Sequence, residues 1–214
     1  MTVAEAITKC KVLIDKYGSP TILDSEWTGH LNTSQWEVLN RVVPDEVGGR
    51  INLENDENVL ENFKQLIFPL TLTPSAGLLS SSALRTAIRT ASGDTTCDLF
   101  RVLNMAKSDS TMIKFVRHNN IYSSIANVFK APSATKPVYT VLSTGYQIYP
   151  GIATSVLLTA MKTPLILTNT GESFEVSDYI VEQIILQAVK LAAVGVRDNE
   201  AIMDVRATGF QNAQ

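Results

Sequence analysis

The most constraining feature of the sequence is a long apolar stripe close to its C-terminus. Seven apolar residues recur at the spacing of one helix face within residues 177–196. Other parts of the chain have to cover this stripe, because an apolar face of this length is unfavourable in water. We therefore predict a helix over residues 177–196 at the centre of a helical bundle, with Ser177 as its N-cap. The stripe consists of Ile180, Val181, Ile184, Ile185, Ala188, Leu191 and Ala192.

The N-terminus carries the signature of another helix. Thr2 and Glu5 have the spacing of a capping box, in which each side chain accepts a hydrogen bond from the backbone N–H of the other residue. Apolar residues then follow at intervals of three and four, which predicts a helix over about residues 3–17. Cys10 lies on the apolar face of this helix, and we interpret it as a small buried side chain.

Further helices are predicted before the middle of the chain. One starts after Asp24 or Ser25, either of which could cap it, and it ends at Pro44, which cannot continue a helix. Another covers residues 56–67, where apolar residues again repeat at helical spacing. Residues 78–91 also fit a helix, although the Thr-rich runs beside them could equally be strands.

From residue 99 onwards, the pattern changes to short runs rich in aromatic and aliphatic residues, which is typical of strands. The clearest pair flanks residues 143–145, where Gly145 can adopt positive φ in a hairpin turn. One short helical turn is predicted over residues 122–129. The predicted strands cover residues 99–105, 112–117, 138–142, 146–149 and 155–161.

These patterns predict one α+β domain over residues 1–204, with terminal helices packed as a small bundle and a β-rich middle that contains a hairpin. Residues 205–214 lack apolar periodicity and hold one isolated aromatic residue, Phe210. We interpret them as a C-terminal tail that docks on a partner or, as an equal alternative, frays in solution.

The composition argues against several functions. Lys and Arg total 18 and Asp and Glu total 21, so the formal net charge is −3. Because no basic stripe or tail is visible, we expect no specific recognition of nucleic acid. No apolar run reaches the about 18 residues of a membrane span, and no secretory signal is recognisable. With Cys10 and Cys97 as the only cysteines, we expect a soluble protein of a reducing compartment, without a disulfide framework.

No catalytic, cofactor or metal motif is recognisable. His30 and His118, the two histidines, do not lie in a nucleophile motif, and phosphate-binding glycine loops are missing. The acidic residues between 54 and 61 lack the pattern of a calcium loop. We therefore predict that the protein is not an enzyme and uses no cofactor or metal. One alternative stays open, an enzymatic site formed by Asp98, Arg117 and His118 near strand ends.

Interaction with partners is the chemistry that remains. Three tyrosines lie on the predicted hairpin, and each combines an apolar ring with a hydroxyl group that can hydrogen-bond. An interface role and ordinary cross-strand packing are equally good interpretations of these tyrosines. The candidate partner-binding residues are Tyr139, Tyr146 and Tyr149 on the hairpin and Val205, Arg206 and Phe210 in the tail.

Short motifs follow one another along the chain in a recognisable order. After the T-x-x-E-capped helix come residues 21–27 with Leu23-Asp24-Ser25-Glu26, and residues 97–104 contain a D-x-[FY]-R-x-L strand motif. Residues 137–150 hold a P-x-Y hairpin, and a long helix over residues 178–195 is followed by D-x-E-A at residues 198–201. In this order the motifs resemble head-to-tail adaptor proteins of tailed phages, also called connector or ring proteins. The likeness is to podovirus-type phages, including the crAss-like group.

The resemblance implies a structural virion protein that is assembled in the host cytoplasm. Its copies would form a ring, as a dodecamer, between the portal protein and other tail or ring proteins. DNA would pass through this ring without being recognised, and no membrane would be involved. The tail at residues 205–214 would dock on the portal. A second possibility is an assembly chaperone or binding module that leaves the finished particle.

Overall fold

Helices at both ends of the chain belong to one unit of the structure, and the strands between them belong to another. The computed structural model describes residues 1–15, 22–43, 61–127 and 131–196. The helical unit comprises Met1–Asp45, Asn52–Lys64 and Pro164–Gln214, and the sheet unit comprises Glu46–Ile51 and Gln65–Thr163. In chain order, the elements are α1 (Val3–Asp15), α2 (Asp24–Val42), β1 (Ile67–Leu72), β2 (Leu78–Ser80), α3 (Ser81–Ser92), β3 (Leu99–Lys107), β4 (Lys114–Phe115), α4 (His118–Ala126), β5 (Val138–Leu142), β6 (Gly145–Tyr149), β7 (Val156–Lys162) and α5 (Asp178–Val196).

This arrangement confirms the predicted α+β class, with terminal helices and a β-rich middle that contains a hairpin. Residues 1–204, which we expected to be one domain, are divided between the two units. Whether both units unfold together stays a prediction. The predicted tail at residues 205–214 lies outside the described residues.

The helical unit is built around α5, as the apolar stripe predicts, because α5 packs against both α1 and α2. Its buried residues come in adjacent pairs every four positions, and each is at most 3% exposed. This pairing gives α5 a face wide enough to cover two neighbouring helices. Among the described helices, none is both long and apolar enough to cross a membrane. The buried residues of α5 are Ile180, Val181, Ile184, Ile185, Ala188, Val189, Ala192 and Ala193.

The predicted capping box at the start of α1 is confirmed. The Thr2 N–H donates to the Glu5 carboxylate at 2.9 Å, and the Glu5 N–H donates to the Thr2 hydroxyl oxygen at 3.3 Å. The bonds that this carboxylate accepts from Thr2 hold the pKa of Glu5 below its usual value. Cys10 is buried in the same helix, and burial raises the pKa of its thiol to about 12.

The predicted second helix is confirmed, but its predicted cap is wrong. The N-cap is Leu23, which has no side chain able to accept a hydrogen bond, and Asp24 is the first helical residue. Glu26 makes the other half of a capping box, since its carboxylate accepts a hydrogen bond from the Leu23 N–H at 2.8 Å. A carboxylate in the first turn is also favoured by the helix dipole.

The segment between β7 and α5 has no regular secondary structure over residues 163–177. Amide side chains of α2 hold its backbone: Asn32 exchanges two hydrogen bonds with Leu167, both of 2.9 Å, and Gln35 donates to the Leu165 carbonyl at 3.0 Å. These bonds satisfy backbone groups that a strand or helix would otherwise pair. The polar residues of α2 therefore have a structural role.

The sheet unit contains two sheets. The first is antiparallel with the order β1-β7-β3, and the second has the order β2-β6-β5-β4, with β4 parallel to β5 at its edge. The predicted hairpin is confirmed as β5 and β6, and Gly145 adopts a φ of +144° at the turn. Both sheets and α3 contribute to one hydrophobic core. It consists of Leu70, Leu79, Leu84, Ile88, Cys97, Val102, Met105, Ile113, Tyr139, Ile148, Val156, Leu158 and Ala160.

Two predicted helices are wrong at one end because their residues pair with distant strands. The helix predicted over residues 56–67 cannot extend to Ile67, which begins β1 and pairs with Met161; residues 51–60 lie outside the described residues. The helix predicted over residues 78–91 begins only at Ser81, since β2 precedes it and pairs with β6.

The strand predicted over residues 112–117 is also wrong in extent. Only Lys114–Phe115 form a strand, and His118 begins α4 where we expected it to end a strand. The helical turn predicted over residues 122–129 accordingly starts earlier, at His118. The local run is apolar enough for a strand, but only two of its residues pair in register with β5, and the Val116 N–H adds one hydrogen bond to the Tyr139 carbonyl.

Candidate interaction surface

The structure places the first hairpin tyrosine in the core, where it offers little surface to a partner. Tyr139 is 6% exposed and belongs to the hydrophobic core of the sheet unit. Its ring lies 5.5 Å from the Phe115 ring and 5.9 Å from the Tyr146 ring, measured between centroids. For Tyr139, cross-strand packing is therefore the correct interpretation and the interface role is not.

The other two tyrosines do not form one surface with each other. Tyr146 is half-buried and packs against the core on the face of Tyr139, whereas Tyr149 is half-buried opposite Val138. Successive strand residues alternate between faces, so Tyr149 lies on the other side of the sheet. The predicted tail residues Val205, Arg206 and Phe210 lie outside the described residues.

The residues of the enzymatic alternative have other partners. The Asp98 carboxylate accepts hydrogen bonds from Arg85 at 2.8 Å and from the Leu99 N–H at 2.9 Å. Burial would raise the pKa of Asp98, but these bonds outweigh it and hold the pKa below its usual value. His118 lies with its ring edge against Tyr122, and in the described part of the chain it shares no hydrogen bond with Asp98.

Within residues 1–15, 22–43, 61–127 and 131–196, no three His, Cys, Asp or Glu side chains are grouped so that they could hold a metal ion. His30, the other histidine, packs against the Trp27 ring with 6.0 Å between centroids. Its surroundings are those of a helix side chain in aromatic contact.

The division into two units reveals a charge separation that the chain average conceals. Residues 65–163 contain nine Lys and Arg but only three Asp and Glu, a formal net charge of +6. The rest of the chain contains nine Lys and Arg and 18 Asp and Glu, a net charge of −9. The counts were present in the sequence, but they become meaningful only when the unit boundaries are known.

All three acidic residues of this basic segment are already paired within the sheet unit. Asp98 binds Arg85, Asp109 lies 2.8 Å from the Lys107 ammonium, and Asp94 lies 3.8 Å from the Lys162 ammonium. The pKa of Asp109 is held well below its usual value, chiefly by the bond from Lys107. Each acidic residue between positions 65 and 163 therefore already has a basic partner in its own segment.

Two of these cations lie together at the sheet edge. The Lys114 N–H donates to the Pro137 carbonyl at 3.1 Å, and Lys114 is in register with Val138, two residues after Lys136. Both lysines are exposed, and neither ammonium group has a hydrogen-bond or ion-pair partner among the described residues. An uncompensated pair of charges at an edge is available to an external partner.

Helix α4, which packs against β5, adds exposed apolar side chains to this part of the sheet unit. Only Ile121 is fully buried in it, whereas Tyr122 is 67% and Ile125 is 43% exposed. Clustered exposed apolar side chains are typical of interaction sites. We call the surface formed by Lys114, Arg117, Tyr122, Ile125 and Lys136 the edge surface.

Sequence reasoning missed the edge surface, because no local pattern in the sequence connects its residues. Tyr122 and Ile125 belong to a run that looks like an ordinary short helix, and the lysines are separated by 22 positions in the sequence. Only the parallel pairing of β4 with β5 brings them to one edge.

Compared with known proteins, the chain matches no family model, and no curated protein is similar to it.

Proposed function

We propose that this protein is a structural component of a tailed-phage virion, which assembles with copies of itself into a ring between the portal and the tail. The observation that carries this proposal is the separation of charge, −9 outside residues 65–163 and +6 within them. Each copy thus carries a basic region and an acidic region, and the basic region of one copy can contact the acidic region of the next. Contacts between two different surfaces of identical chains produce rings when the rotation closes.

The order of motifs described above supports the phage assignment. It resembles the adaptor family from the capped first helix to the closing helix, and in that family the ring surrounds the DNA exit channel. The portal and neighbouring tail or ring proteins are the proposed further partners. The proposed location is the portal vertex of the virion.

The proposal is tested by identifying the protein in purified particles. We expect mass spectrometry of mature virions to detect it in several copies per portal, and imaging of the tail vertex to show it as a ring. A protein that binds the portal during assembly but is missing from mature particles would be an assembly chaperone, which would contradict the proposal.

The proposed role of the tail has its own test. Deleting residues 205–214 removes one aromatic side chain and no regular apolar pattern, so the remaining chain should stay folded. We expect weaker binding to the portal, measured by pull-down against the full chain. Unchanged portal binding by the shortened protein would contradict the docking role of the tail.

A further inference from the structure

We propose that the edge surface binds the acidic helical unit of a second copy of this chain. This inference depends on the proposed function only for self-association, and it names the surface through which one copy recognises the next. It does not depend on a portal, a tail or a virion.

Charge identifies one side of the contact. Asp94, Asp98 and Asp109 are paired with other cations, and Lys114 and Lys136 have no acidic partner among the described residues. Outside residues 65–163, acidic residues outnumber basic ones by nine. In a solution of this protein alone, the helical unit of another copy is therefore the acidic surface that the lysines meet, and opposite potentials favour that encounter.

The helical unit also presents carboxylates that are exposed to solvent. Glu61 has a side chain that is 77% exposed, and its ion pair with Lys64 is long, at 3.8 Å. Glu37 is exposed on α2 and accepts a hydrogen bond from Gln187. Neither residue caps a helix, so both carboxylates are available to an external cation.

Apolar contact favours a protein over a nucleic acid as the partner. Tyr122 and Ile125 lie on the exposed side of a helix in which only Ile121 is fully buried. A phosphate backbone offers such side chains no apolar surface, whereas a protein partner can bury both. Tyrosine is also among the residues that most often dominate the binding energy of protein interfaces.

The contact is made by side chains and not by strand addition. Strand β4 contains only two residues, and one of them is Lys114. Short edge strands with lysine resist pairing with strands of other molecules, because the charge would be buried. The edge is therefore protected against open-ended sheet growth while its charge remains available to a partner.

The test uses the full chain and charge reversal. We expect Lys114→Glu with Lys136→Glu to weaken self-association by about tenfold or more, since two attractions become repulsions. The matched control is Lys9→Glu, which reverses an exposed lysine of α1 whose ion-pair partner is Glu182, and it should alter the dissociation constant by less than about twofold. Sedimentation at several protein concentrations measures both values.

Two further measurements complete the test. Raising the salt from about 50 to about 500 mM should dissociate the wild-type oligomer, because screening weakens contacts between charges. Tyr122→Ser should weaken self-association while keeping its salt dependence. Because all four substituted side chains are exposed, circular dichroism should show that each variant is folded.

Three results would overturn the inference: equal self-association of the double variant and the wild type, salt-insensitive association, or a wild-type chain that stays monomeric. Loss of binding to a labelled DNA duplex in the double variant, with self-association intact, would assign the edge surface to nucleic acid. If the double variant is monomeric but the protein is missing from virions, the proposed function fails and this inference holds. If the double variant associates like the wild type and the protein is found in virions, the proposed function holds and this inference fails.

Discussion

The helical unit and the sheet unit of this protein are stabilised in different ways. The helical unit depends on wide apolar stripes, such as the paired buried residues of α5. On the exposed side of α2, a Cβ added at Gly29 would have no neighbour within 4 Å. The sheet unit depends on close backbone approach between strands that are distant in sequence. Its turn at Gly145 shows this, because the backbone of β2 lies directly against that glycine.

Charge separates the same two units, and this difference bears on function. A net charge of −3 for the whole chain describes neither of them. A net charge is informative only for a region whose charges lie close together, because electrostatic attraction decays over about 10 Å at ordinary salt. The expectation that nucleic acid is not specifically recognised was drawn from the sequence as a whole, and it stays a prediction.

The largest expected effect comes from a glycine substitution in the sheet unit. An added Cβ at Gly145 would lie 2.1 Å from the Leu79 carbonyl oxygen, at a φ of +144° that side chains rarely adopt. We expect Gly145→Ala to lower the free energy of unfolding by more than about 3 kcal/mol, through strain and displaced strands. Urea unfolding followed by circular dichroism measures the change.

Gly29→Ala is the matched control for this prediction in the helical unit. Nothing lies within 4 Å of the added Cβ in the interior of α2. The substitution should raise the free energy of unfolding by about 0.5–1 kcal/mol, because alanine loses less backbone entropy than glycine in a helix. Equal effects of both substitutions would contradict the contrast between the units.

Core truncations test whether the two units unfold separately. Trp27 and Trp36, the only tryptophans, both lie in α2, so tryptophan fluorescence reports on the helical unit. Leu31 and Ile148 are both 0% exposed, in α2 and β6 respectively. Truncation of each to alanine should cost about 2–5 kcal/mol.

Only the truncation in the helical unit is expected to move the fluorescence transition. Leu31→Ala should shift it to lower urea, and Ile148→Ala should leave it in place, because the core around Ile148 consists of residues of the sheet unit alone. A shift of the fluorescence transition by Ile148→Ala would show instead that the whole chain unfolds as one domain, as the sequence predicts.

The smallest expected effect is a loss of stability at acidic pH. The pKa of Glu172 is held below 4.5, chiefly by bonds that its carboxylate accepts from the Thr168 N–H and hydroxyl. A carboxyl group with a depressed pKa stabilises the fold fully above its unfolded value, and this contribution is lost as the pH falls through the folded value. The free energy of unfolding of the helical unit, measured by tryptophan fluorescence, should therefore begin to fall below about pH 4.5.

Glu172→Gln should reduce this dependence on pH, because the amide cannot ionise. Glu61→Gln is the control, since the exposed Glu61 side chain makes only the long ion pair with Lys64. Thermal unfolding between about pH 3 and pH 6 compares the variants. Identical pH profiles for Glu172→Gln and the wild type would contradict the prediction.

Much of the helical unit was predictable because its determinants are local. The capping box of Thr2 and Glu5 acts over three residues, and the stripe of α5 repeats every four, so both are readable in the sequence. The hairpin of β5 and β6 was predictable for the same reason, since its turn and strands are consecutive. The edge surface was not predictable, because no local pattern shows that Lys114 and Lys136 lie at the same edge of the sheet.

The sequence by itself determined the α+β class, the terminal helices and the hairpin, because periodicity, capping and turn chemistry act over a few neighbouring residues. The tertiary structure decided that residues 78–80 form a strand, that Tyr139 is buried and that Gln35 holds the backbone 130 positions further along the chain. It also decided which residues belong to each unit, and thus the separation of charge. These properties depend on pairing between distant residues, whose partners only the folded chain brings together.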